Sequence, residues 1–77
     1  MEENISEKII SDRLIELRAV NKLSLEDVAI ELGVHRETVR RYENHPNCMN
    51  IDSFIKMLNV YNTNPIIFFK EIYGKMS

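Results

Sequence analysis

Apolar residues recur at three- and four-residue intervals along most of the chain, and no alternation of period two lasts long enough for a sheet. Ile10, Leu14 and Leu17 follow a four-three spacing that places them on one face of a first helix ending near Asn21. Ahead of them, Asn4-Ile5-Ser6-Glu7 offers a cap and an early glutamate for the free amides of the first turn. Ser24-Leu25-Glu26-Asp27 is a second start signal, a hydroxyl cap followed by two acids where the helix dipole favours them. Val28, Ala29 and Leu32 give this second helix a short apolar stripe, and Gly33 stops it where a left-handed residue costs least.

After a short turn through Val34, a third helix is expected from about Arg36 to Asn44, with Val39 and Tyr42 inside. His45-Pro46-Asn47-Cys48-Met49 reads as a loop. Asn50 caps a fourth helix whose apolar positions are Ile51, Phe54, Ile55, Leu58 and Tyr61, with Met57 beside them. Asn62-Thr63-Asn64 break it. Asn64-Pro65 then opens a fifth helix to about Tyr73, with proline at its first position. No repeat, low-complexity tract or linker divides the chain, so residues 1–77 read as one all-α domain.

A length of 77 residues with 44% apolar side chains suffices for one small core without disulfides or a structural metal. Cys48 is the single cysteine, which excludes an intramolecular disulfide and a stapled secreted fold. The longest apolar run, Ile66-Ile67-Phe68-Phe69, is far short of the ~20 residues of a membrane span. The chain opens on Glu2 and Glu3 without a basic stretch, so no signal peptide and a cytoplasmic location are expected.

Ten basic residues against twelve acidic ones give a net charge of −2, which argues against a generic polyanion binder. The distribution says more. Arg36, Arg40 and Arg41 stand against Glu37 alone, a net +2 within six residues, and the rest of the chain carries −4. A basic island sits on an acidic body.

The island lies in LSLEDVAIELGVHRETVRRYE, residues 23–43. Two short helices meet at a tight turn containing Gly33, and Ala29 is small where the second helix must approach. A large side chain at 29 would hold the helices apart, and a β-branched one at 33 would resist the turn. This is the pattern of a helix-turn-helix.

At these residues the sequence resembles the Cro/CI-type, or XRE, helix-turn-helix regulators, over about residues 12 to 69. Leu17-Arg18 at the end of the first helix, the Leu32-Gly33-Val34 turn and Glu43 at the end of the third carry the resemblance. It implies a compact five-helix, lambda-repressor-like domain whose third helix enters the major groove of double-stranded DNA. Arg36, Glu37 and Arg41 would then face bases. Ser24, Leu25, His35, Thr38, Arg40 and Asn44 would lie at phosphates or flank the bases. Arginine can pair with both O6 and N7 of guanine, and glutamate can accept from the cytosine amino group.

Two positions depart from the family. Leu25 stands where glutamine is common, leaving the backbone amide but no side-chain bond for a phosphate. His35 replaces the usual serine or threonine; it is expected to be a poor cap, free to reach a phosphate more strongly at mildly acid pH. The family's arginine–carboxylate pair between the first and third helices falls on Arg18 and Glu43.

One recognition helix reads only a few base pairs, so a two-fold homodimer on a pseudo-palindromic operator is expected. At 100° per residue, Phe68, Ile72, Phe69 and Met76 share one arc of the last helix, with Tyr73 and Ile66 at its edge and Ile67 opposite. Ile66, Ile67, Phe69 and Tyr73 are the expected interface.

Other chemistries find little support. Cys48, His45 and His35 are too few and too irregular for zinc, and no cofactor is implied. A glycine-rich phosphate loop, a nucleophile–base set and room for a substrate cavity are all missing, so neither an enzyme nor a small-molecule substrate is expected. The sequence reads as an operator-binding transcriptional regulator, a repressor acting by occupancy, with RNA polymerase or another protein as an added partner and no membrane. The rival is an adaptor or anti-repressor on a helix-turn-helix scaffold that has lost DNA binding. The acidic body, Leu25 and the apolar last helix favour it; the basic island opposes it.

Overall fold

Each start signal in the sequence produces a helix. The computed structural model describes residues 6–76, with side chains through residue 74. Its elements are α1 (Glu7–Val20), α2 (Leu25–Leu32), α3 (Arg36–Asn44), a 3-10 turn (Pro46–Cys48), α4 (Ile51–Val60) and α5 (Pro65–Met76). The fold is all-α, with no strand among the described residues. Asn4 and Ile5 lie outside the described residues, as does the side chain of Met76.

Four of the helices are capped by side-chain oxygens taking first-turn amides. Ser6 Oγ accepts from the Ile9 amide at 3.3 Å, Asn50 Oδ1 from Ser53 at 2.7 Å and Asn64 Oδ1 from Ile67 at 2.9 Å. At α2 the box is reciprocal: Ser24 Oγ accepts from the Asp27 amide, and Asp27 Oδ2 accepts from the Ser24 amide at 2.9 Å. The Ser24 amide first, and then its hydroxyl, hold the Asp27 carboxyl below its ordinary value. Because that value is depressed in the folded state, the box stabilises α2 above the ordinary carboxylate range and loses its contribution as pH falls through it. Gly33 closes α2 in the left-handed region at φ 70°.

The core gathers Leu14 and Leu17 of α1, Val28 and Ala29 of α2, Val39 of α3, Met57 and Leu58 of α4, Tyr61, and Phe68 and Ile72 of α5. Phe54 is buried with them, and its ring meets Phe68 edge-on at a centroid distance of 5.4 Å. The buried Ala29 leaves room for α3 beside α2. The apolar positions of α4 divide. Met57 is fully buried, while Ile51 and Ile55 are 69% and 39% exposed. Phe54, Met57, Leu58 and Tyr61 form one stripe of helical period, Ile55 lies one residue off it, and Ile51 occupies the first turn at the edge of the domain.

α5 runs to Met76, past the expected end at Tyr73, because Gly74 falls in its last turn, where glycine is tolerated. Arg13 ties α1 to α5 by bonding Glu71 as well as Glu16. No helix among the described residues is long and apolar enough to cross a membrane.

Candidate nucleic-acid interface

The pattern of α3 gives it two faces. Val39 and Glu43 are buried, and Thr38 and Tyr42 are half-buried. Arg36, Glu37, Arg40, Arg41 and Asn44 all stand in solvent, at the helical spacing that makes them one continuous stripe. The structure thus brings the three expected base-reading residues together with two of the expected flanking ones. The Glu37 carboxylate sits between two arginines, 3.1 Å from Arg40 Nε and 3.9 Å from Arg36 Nε. More than half of each of these side chains is in water. Such exposed pairs contribute about 0–1 kcal/mol, so DNA groups can replace them at little cost.

His35 corrects an expectation. Its Nδ1 accepts from the Glu37 amide at 3.2 Å, so it caps α3 after all. A neutral imidazole with its proton on Nε2 has a lone pair on Nδ1 and serves as the hydroxyl of serine would. The remaining Nε2–H is the group left for a phosphate. A protonated ring has no acceptor to offer the helix.

At the start of α2 the Ser24 amide and the Ser24 oxygen as acceptor are both engaged in the capping box. Leu25 packs its side chain, partly buried, against the core. Ser24 keeps a hydroxyl proton to donate.

The far end of α3 is pinned. Arg18 Nε donates to Glu43 Oε2 at 2.7 Å, and Arg18 also donates to the Leu23 carbonyl at 3.1 Å. The same Glu43 oxygen accepts from the Tyr61 hydroxyl at 2.8 Å. Burial first, and then the neighbouring Glu43 carboxylate, push the Tyr61 hydroxyl far above the ordinary tyrosine range. By periodicity Tyr61 is only an apolar position of α4. The available signal was that a buried tyrosine hydroxyl needs a partner, as does a buried carboxylate.

On α5 the four expected interface residues divide. Ile66, Ile67 and Tyr73 are 80%, 46% and 55% exposed. Phe69 is half-buried instead, with its ring 5.2 Å from Phe68 and 5.9 Å from Phe54. The three phenylalanines close the base of the core together, so Phe69 backs the outer surface rather than forming it. Beside it lies an apolar groove of about 340 Å³, lined among others by Ile10, Met49, Ile51 and Phe69. Cys48 is exposed, and no cluster able to hold a metal occurs among the described residues.

The geometry is a basic helix face presented to solvent, with its opposite end fixed to the scaffold. No curated protein and no solved structure matches the chain significantly. A helix-turn-helix family model matches residues 14–68, from the middle of α1 into α5. That span holds most of the chain, including the α2–Gly33–α3 unit and the anchor at Glu43, and on it the chain belongs to the Cro/CI-type helix-turn-helix family of DNA-binding transcription regulators.

Proposed function

We propose that this chain is a sequence-specific repressor that occupies a pseudo-palindromic operator as a homodimer. The observation that carries the reading is the exposed stripe of α3, with Arg36 and Arg41 outward on a helix pinned at its far end. Arg36, Glu37 and Arg41 read base edges in the major groove. Thr38, Arg40 and Asn44, with His35 Nε2, the Ser24 hydroxyl and the Leu25 amide, meet phosphates or flank the bases. Residues 1–77 act as one domain in the cytoplasm, where the operator lies. Nothing in this reading calls for a cofactor or catalysis.

The second subunit packs against Ile66, Ile67 and Tyr73, backed by Phe69. Large apolar side chains in water on α5, Ile66 with Tyr73 on one arc and Ile67 on another, support this surface. Contact of the bound dimer with RNA polymerase or another protein is compatible with it.

Fluorescence anisotropy on a labelled mixed-sequence duplex at low salt tests the core of the proposal. The wild-type chain binds, and Arg36→Glu with Arg41→Glu abolishes binding while the circular dichroism spectrum is unchanged. Equal binding by the two proteins would take DNA contact away from this stripe, and no binding by either would favour the adaptor reading, for which the acidic body and the exposed α5 speak. Sedimentation equilibrium tests the assembly: a dimer at high micromolar concentration that Ile66→Glu dissociates is expected, and a monomer both free and on DNA would overturn it.

A further inference from the structure

Glu43 is the one buried acid among the described residues. A carboxylate taken out of water needs more than one donor, and Glu43 has two, on different elements and at a single oxygen. The second donor, Tyr61, is itself a junction. It is the C-cap of α4, and its backbone carbonyl accepts from Asn21 Nδ2 at 3.1 Å, Asn21 being the C-cap of α1. Asn62 adds a bond from its Nδ2 to Asn21 Oδ1 at 3.0 Å. The carboxyl ends of α1, α3 and α4 thus meet at one polar knot, and the Tyr61 hydroxyl is the link from α4 to α3.

The lever is long. Arg36 lies seven residues from Glu43, about 10 Å along the helix at ~1.5 Å per residue. A tilt of ~5° at Glu43 displaces Arg36 by about 1 Å, enough to spoil a paired hydrogen bond to guanine. Arg18 alone leaves Glu43 held from one side. Two donors from separate helices fix its carboxylate in two directions.

We propose that Tyr61 is a positioning residue for DNA recognition: its hydroxyl, through Glu43, sets the tilt of α3 and with it the place where Arg36 meets the bases. The proposal rests on α3 being the DNA-reading helix. It assigns a role in specificity to a residue that never touches DNA.

Tyr61→Phe tests it, since the ring that fills the core is kept and only the hydroxyl goes. Two measurements are made at 25 °C, with folding checked by urea titration. In the first, amide hydrogen exchange by NMR, protection of residues 40–44 falls about tenfold more than that of the α1 core around Leu14. The second uses a duplex selected by the wild-type chain from a random pool, beside a scrambled duplex. The preference for the selected duplex falls three- to tenfold, whereas affinity for the scrambled one stays within about twofold, because phosphate contacts tolerate a small tilt.

A uniform loss of protection with the preference unchanged would make Tyr61 a core-filling residue and overturn the proposal. If the wild-type chain selects no duplex, the DNA-reading assignment itself fails. The exchange measurement then still shows whether the hydroxyl fixes α3.

Discussion

Helix α3 carries a carboxylate near each end, and both face arginine. At the carboxyl end Glu43 is 2% exposed and bonded by Arg18 and Tyr61. At the amino end Glu37 is more than half exposed and lies 3.1 Å from Arg40. The two pairs look alike on paper and differ in what surrounds them. Water screens and competes for the exposed pair, so it holds nothing firmly and can exchange arginine for a base or phosphate. Glu43 has no such alternative, and losing Arg18 strands its charge. One end of the helix is built to be fixed and the other to be free.

Breaking the fixed end should cost most. Arg18→Ala leaves the Glu43 carboxylate buried with only the tyrosine hydroxyl, a loss of about 3 kcal/mol or more. Total stability for a chain of this size is of order 4–12 kcal/mol, so the urea midpoint should fall steeply. A shift no greater than that of a surface mutation would erase the contrast between the ends.

The free end should behave in the opposite way. Arg36→Ala or Arg41→Ala is expected to weaken operator binding by about 1–3 kcal/mol each while stability stays within ~0.5 kcal/mol. Anisotropy titrations and urea curves on the same preparations separate the two effects.

Alkali sharpens the comparison from another side. The Tyr61 hydroxyl is raised in the folded chain above its ordinary value of 10.0. The folded state therefore holds a proton that the unfolded chain releases above pH 10, and stability falls as pH rises from there, by up to about 1.4 kcal/mol per pH unit. Urea midpoints at pH 9 and pH 11 should show this fall in the wild-type chain, with this share of it missing in Tyr61→Phe.

Smallest of all is the effect of Arg40→Ala, which removes an exposed partner of Glu37 and should change stability by less than ~0.5 kcal/mol. A larger loss in urea would mean that the exposed pair is not interchangeable.

The sequence made the free end legible because its signals are local. Caps, a left-handed glycine and helical periodicity act over three or four residues, and they place Arg36, Glu37, Arg40 and Arg41 in one stripe before any tertiary contact is known. The fixed end depends on residues distant in the chain. Tyr61 meets Glu43 across 18 positions, and periodicity marks Tyr61 as an apolar position while saying nothing of Glu43. Family resemblance supplied Arg18 and Glu43 but not the hydroxyl. His35 was misjudged because capping preferences rank residue types, whereas the bond needs only an acceptor in the right place. Side chains of equal hydropathy do not say which turn of α4 reaches the core, and Ile51 and Ile55 stand exposed. Met57, with its adaptable thioether, took the central position instead.

The central claim is that the stripe around Arg36 and Arg41 reads DNA sequence. Selection of bound duplexes from a random pool, repeated with Arg36→Ala and Arg41→Ala, tests it most directly. The wild-type chain is expected to recover a pseudo-palindrome with half-sites about one turn apart and guanine positions that relax in the variants. No enrichment by the wild-type chain at low salt and high protein concentration would contradict it, as would an enriched site that both variants select unchanged.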